Sequence, residues 1–233
     1  MKHIFKKIDS KRISYVLFIL MGLTLVTSCK KQDDYNFEST VTASVRLVNA
    51  STDAGPSTLY VTDVLRTPNA VNFGSNSGYN TTYVGDVTAE AKGSNNNVLA
   101  SANTTFDADG NYTFLLTGTS GSYSLLTLSD NTQAAASGKA KVRFVQAAPG
   151  LTSANLLMGG TALFSAQAFK SVTDYSEVTA GTYVFSITNT GSNTLLATTS
   201  FTLQAGKSYI IYTNGISGGS GTTALTVNVL ANN

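Results

Sequence analysis

Histidine, the side chain that titrates nearest neutral pH, occurs once in this chain, at His3, and cysteine once, at Cys29. His3 is expected to leave with an N-terminal export signal, so a Ser-His-Asp relay, a Cys-His nucleophile and the usual Cys/His zinc sites are not available to the mature chain. Carboxylates are what remain for acid-base work. Asp174 and Glu177 are the nearest acidic pair in the C-terminal half and could stand as acid and base of a glycosidic hydrolysis; the other reading is a solvated loop. Asp107-Ala108-Asp109-Gly110-Asn111 opens like a calcium loop but lacks the later Glu ligand, and Asp-Gly between Phe106 and Tyr112 suits a hairpin reversing through a type I′ turn. The expectation is therefore a chain with no catalytic residues, no metal and no cofactor, and not an enzyme.

Arginine and tyrosine carry what recognition chemistry is left, since the chain has no Trp. Arg46 and Arg143 stand in matching Val-Arg segments. Each is either a guanidinium that grips a ligand or a structural arginine that lays its stem over apolar surface and pairs with a carboxylate or carbonyls. Recurrence in both segments favours the structural role, because a fold requirement recurs wherever the fold does. Tyr79, Tyr83 and Tyr175 lie near turn signals, where a broad ring with a polar tip could meet a ligand, and they are the candidate contact residues; core packing is the alternative.

The elements that must position these residues begin after residue 28. Lys2, Lys6, Lys7, Lys11 and Arg12 precede an apolar run from Ile13 to Val26, the charged and hydrophobic regions of an export signal, and that run is too short to span a bilayer. Val26-Thr27-Ser28-Cys29 resembles the lipobox of bacterial lipoproteins, which implies cleavage before Cys29 and lipid attachment to it. The partner so implied is a membrane, reached through the N-terminal lipid. Residues 29–40 form a polar tether, in which Asp33 and Asp34 are either a solvated linker or an acidic tag for export to the outer face of the outer membrane. An outer-membrane lipoprotein exposed on the cell surface is the expected location. Cleavage removes five of the 15 Lys and Arg residues and one of the 13 Asp and Glu residues, leaving a slightly acidic protein with no basic stripe for nucleic acid.

Downstream the chain repeats itself. Ser44-Val45-Arg46-Leu47-Val48-Asn49-Ala50 returns as Lys141-Val142-Arg143-Phe144-Val145-Gln146-Ala147, and Phe73, Tyr79, Gly85, Tyr112 and Gly118 return in order as Phe169, Tyr175, Gly181, Tyr209 and Gly215. The small polar stretch 133–138 separates residues 41–132 from 139–233. Within each repeat apolar residues alternate, as in Tyr112-Phe114-Leu116, Tyr183-Phe185-Ile187 and Leu225-Val227-Val229, the period of strands with one buried face. With Gly and Pro breakers between short runs, this spacing predicts an all-β protein: two tandem immunoglobulin-like β-sandwich domains, a small barrel being the alternative.

The duplicated V-R-x-V-x-A strand, with the aromatic and glycine landmarks after it, resembles an uncharacterised tandem-domain family of exported bacterial lipoproteins, a domain of unknown function. Members carry His-Ala-Ser-Pro after that strand, whereas Asn49-Ala50-Ser51 and Gln146-Ala147-Ala148-Pro149 stand here. The resemblance implies a β-sandwich at the cell surface and no known activity. Three classes of function stay open. A surface binding or adhesion module for an extracellular glycan or protein leads; a structural spacer or envelope-assembly subunit follows, and a carboxylate-based hydrolase comes last.

Overall fold

The structure is a computed structural model that describes residues 41–130 and 133–232. Cys29, the expected lipid acceptor, and the acidic pair Asp33 and Asp34 lie outside the described residues. Sixteen β-strands and a single 3-10 turn, Gly221–Thr223, make up the regular structure described. Among these residues no helix is long and apolar enough to cross a membrane.

Eight strands belong to each repeat. In the first, β1 (Thr42–Asn49), β4 (Asn80–Tyr83), β7 (Asn111–Thr117) and β8 (Ser124–Ser129) form one sheet in the order β4-β1-β7-β8. The strands β2 (Thr58–Val61), β3 (Val64–Leu65), β5 (Gly85–Lys92) and β6 (Val98–Phe106) form the other, in the order β3-β2-β5-β6. The second repeat copies this plan. Its sheets are β12-β9-β15-β16 and β11-β10-β13-β14, built from β9 (Lys139–Val145), β10 (Ser153–Met158), β11 (Thr161–Ala168), β12 (Ser176–Thr179), β13 (Gly181–Asn189), β14 (Leu195–Leu203), β15 (Ser208–Asn214) and β16 (Thr226–Asn232). In both copies the opening strand runs parallel to the seventh, Arg46 beside Thr113 and Arg143 beside Ile210. These are two immunoglobulin-like sandwiches in tandem.

Side-chain alternation builds a core inside each sandwich. Val45, Leu47, Leu59, Val61, Ala89, Phe106, Phe114 and Leu116 fill the first; Val142, Phe144, Leu156, Phe185, Ile187, Tyr209 and Ile211 fill the second. A corner between sheets closes each core on its tyrosine. Tyr112 accepts the Asp107 N–H at 2.8 Å and Tyr209 the Gln204 N–H at 2.9 Å, the tyrosine corner of immunoglobulin-like sandwiches. The Asp107–Asn111 segment is therefore a crossing from β6 to β7, which belong to different sheets, and not the hairpin the sequence suggested. Asp109, at φ 58, takes the left-handed conformation there. Gly110 is small for another reason: a Cβ on it would sit 2.7 Å from the Tyr112 ring.

A third core joins the repeats. Val48, Ala50, Leu115 and Leu128 from the first pack with Val145, Ala147, Ile210 and Tyr212 from the second. The central strands β1, β7, β9 and β15 of the two inner sheets are thus covered on both faces, and the described residues stack four sheets with three apolar layers between them. This explains the runs Phe114-Leu115-Leu116 and Ile210-Ile211-Tyr212, which break the expected apolar-polar alternation as doubly covered strands do.

Candidate functional site: a buried polar junction and two outer faces

Burying both faces of β1 and β7 puts Arg46 inside the protein, where it is 3% exposed. An interior guanidinium is tolerated only with its charge and donors matched. Arg46 Nε donates to Thr113 Oγ1 at 2.7 Å, Nη1 donates to the Ala231 carbonyl at 2.9 Å, and Nη2 donates to Asn232 Oδ1 and lies 3.7 Å from Asp130 Oδ2. The same Asp130 oxygen accepts Thr113 Oγ1 at 2.6 Å and the Tyr79 hydroxyl at 2.5 Å. Tyr79 also lays its ring under the guanidinium, 4.4 Å away. Burial lifts the Asp130 carboxyl above the ordinary carboxylate range, against the opposing pull of Arg46 and of the Thr113 and Tyr79 hydroxyls. Burial, and then the Asp130 charge, hold the Tyr79 phenol far above its usual value.

The second repeat supplies the counterparts. Arg143 stacks on Tyr175 at 4.0 Å, as Arg46 stacks on Tyr79. Tyr112 pairs with Ser129 and Tyr209 with Ala231, so Asp130 and Asn232 are register equivalents at the ends of β8 and β16. Asn232 Nδ2 donates to Asp130 Oδ1 at 3.4 Å and to the Tyr175 hydroxyl at 2.6 Å. The symmetry is imperfect where it matters. Thr113 is matched by Ile210, which has no acceptor, and the buried Nε of Arg143 makes no hydrogen bond.

Two of the three candidate contact tyrosines, Tyr79 and Tyr175, thus meet at this junction instead of standing at loop ends. Tyr83 is the exception. It is 43% exposed on the edge strand β4, with the Arg66 guanidinium 4.2 Å over its ring. Arg46 fulfils the structural role, down to the carboxylate and the carbonyl. Asp174 and Glu177 are both exposed, and Glu177 Oε1 accepts the Ala136 N–H at 3.2 Å. Among the described residues no three His, Cys, Asp or Glu side chains gather as metal ligands would.

Asn49 and Gln146, at matching positions of the two repeats, are fully buried turn pins. Asn49 Nδ2 donates to the carbonyls of Gly55 (2.9 Å) and Val71 (3.0 Å), and Gln146 Nε2 donates to that of Leu151 at 2.5 Å. The two side-chain oxygens accept the N–H groups of Ser51 and Ala148. The position ties down the turn after the first strand in both repeats, a task that needs a polar side chain and no proton transfer.

Sequence reasoning missed Thr113, Asp130 and Asn232. Only a signal across repeats could have found them: Asp130 directly follows the last strand of the first repeat and Asn232 ends that of the second, both beyond the landmarks that align. It also passed over the outer sheets, where Asp86, Thr88, Asn103 and Thr105 of the first repeat stand where the second has Thr182, Val184, Ser200 and Thr202.

A pair of immunoglobulin-like sandwiches locked by a pseudosymmetric arginine-tyrosine junction is the class of protein this geometry defines. The chain belongs to the family described as Domain of unknown function (DUF4397), which matches it twice in tandem, over residues 43–153 and 143–233. No curated protein sequence matches it. Among solved structures it is similar to the family 26 carbohydrate-binding module CBMbc of Eubacterium rectale Amy13K, crystallised with maltoheptaose. The two are 12% identical over 82% of this chain and 97% of the other, with a TM-score of 0.24, a superposition too loose to equate individual residues.

Proposed function

We propose that this protein is a cell-envelope lipoprotein, anchored in the outer membrane through lipid on Cys29, that acts as a surface binding module for a glycan or protein and does not turn over a substrate. The observation that carries this reading is the third core. Because the repeats bury their inner sheets against each other, the outer sheets β3-β2-β5-β6 and β11-β10-β13-β14 are, among the described residues, the ones that keep a broad solvent face. Hydrogen-bonded sheets spare a binding site much of the cost of being ordered on contact. The competing reading, a spacer that fills the envelope, draws on the threonine and serine that cover those faces. An array of immobilised glycans and matrix proteins, probed with the detergent-solubilised full-length protein, separates the two. Saturable binding to a defined ligand is expected, and silence across the array leaves the spacer. Mass spectrometry of the mature N-terminus is expected to find acylated Cys29, and Cys29→Ser to leave an uncleaved or mislocalised precursor.

A further inference from the structure

A duplicated fold marks where it has been put to use, because features demanded by folding recur in both copies. Each sandwich has a two-residue hairpin between its second and third strands, and both turns are left-handed. The second repeat uses Gly159-Gly160, at φ 57 and 84, the unstrained solution. The first uses Thr62-Asp63, at φ 46 and 63. A β-branched residue at positive φ is strained, and such strain persists at sites that need the side chain. Thr62 lines an open depression of about 540 Å³ on the outer face of the β2-β5-β6 sheet, with Asp86, Thr88, Asn103 and Thr105.

These side chains are oriented before any ligand arrives. Thr105 Oγ1 donates to Asp86 Oδ1 at 2.5 Å, and Thr88 Oγ1 donates to Asn103 Oδ1 at 2.9 Å. The second carboxylate oxygen of Asp86 and the amide N–H pair of Asn103 are left to face solvent. Fixed acceptors beside fixed donors suit adjacent hydroxyls, each of which gives one hydrogen bond and takes others. Tyr60, two residues before Thr62, lies outside the lining of the depression and has the Lys92 ammonium 4.3 Å over its ring. No cationic side chain lines the depression, and the Asp86 charge disfavours anionic ligands. The second repeat lacks this set, presenting Gly159, Thr182, Val184, Ser200 and Thr202 at the same places, with Val184 50% exposed.

We infer that the outer face of the first repeat is a binding site for a neutral carbohydrate, read by Asp86, Asn103 and the threonine hydroxyls, and that the second repeat has no such site. The inference rests on the binding-module reading and names its ligand class and its place. The test is retention of the detergent-solubilised full-length protein on immobilised neutral oligosaccharides, with sulfated and uronic-acid oligosaccharides alongside. Neutral chains are expected to be preferred. Asp86→Ala and Asn103→Ala should each weaken binding about tenfold, the equivalent of one lost hydrogen bond. The control changes Ser200→Ala and Thr202→Ala should leave it unchanged. Thr62→Gly should weaken binding while raising the melting temperature by about 2–4 °C, which a merely structural threonine would not do. Preference for anionic chains, or neutral-glycan binding untouched by the first-repeat changes, overturns the site. Binding to a matrix protein alone overturns it too and leaves the binding module standing, whereas no binding to any immobilised ligand overturns both.

Discussion

Asp130 carries a charge that three parts of the chain must share: Arg46 on β1, Thr113 on β7 and Asn232 at the far end of the second repeat. Removing one partner of a buried pair strands the other without solvent, at a cost of about 3–5 kcal/mol. Asp130→Ala is therefore expected to lower unfolding stability by that order, read from urea midpoints. Its acid dependence has a sign. Because burial raises the folded-state pKa of Asp130, the group contributes stability that is fully present below the ordinary carboxylate value and is lost as pH rises through the raised value. Relative to Asp130→Asn, the parent protein should gain stability on acidification across that window. Equal slopes for the two proteins would contradict the assignment. Tyr79→Phe deletes a hydroxyl bonded to the buried carboxylate and should cost about 1–3 kcal/mol, whereas Tyr83→Phe, on an exposed edge, should cost under about 0.5 kcal/mol.

Among the elements, the matched landmarks Tyr112/Tyr209 mark corners between sheets and Gly118/Gly215 mark returns within one sheet. Each tyrosine hydroxyl holds a backbone N–H where the chain leaves one sheet for the other, so Tyr112→Phe and Tyr209→Phe should each lower stability by about 1 kcal/mol. The glycines follow β7 and β15 at positive φ, under a crossing segment that passes over them as the chain returns to the same sheet. A Cβ on Gly215 would lie 2.1 Å from the Ala224 carbonyl oxygen, and one on Gly118 2.3 Å from that of Ser122. Gly218, at φ 80, has open space around it. Gly215→Ala should thus cost about 2–4 kcal/mol, combining backbone strain with a clash, and Gly218→Ala only the strain of about 1 kcal/mol. Thermal melts of the pair isolate the clash. Similar losses in both would show that the crossing segment moves aside.

For the molecule as a whole, the third core decides how the repeats behave. Separate sandwiches would each expose a face of Val48, Leu115 and Leu128, or of Val145, Ile210 and Tyr212, together with half of the arginine junction. Burial on that scale pushes the Tyr212 phenol up to about 12. One cooperative transition is expected for the two repeats together, in contrast to the independent folding that a small polar linker suggests. Cutting an engineered protease site within residues 133–138 should leave the halves co-eluting in size-exclusion chromatography. Leu115→Asp, which places a charge in that layer, should part them after the cut. If the halves of the cut parent protein separate without the substitution, the shared core is not holding them.

The sequence by itself determined the duplication and the β class. Those signals are local: identities kept in order and a two-residue apolar period. It also determined that Arg46 and Arg143 share one role, because the same residue sits on the same strand twice. Only the tertiary structure decided what surrounds them. Alternation shows which residues of a strand share a face but not how many faces are covered, so the burial of β1, β7, β9 and β15 on both sides was legible only as the unexplained apolar runs at Leu115 and Ile210. Asp107-Gly110 has the composition of a hairpin and serves as a corner, because β6 pairs with β5 in one sheet while β7 pairs with β1 and β8 in the other. Tyr79 and Tyr175 sit near turn signals yet reach inward, since their ring positions depend on Asp130 and Asn232, residues remote in the chain that meet only when one sandwich closes on the other.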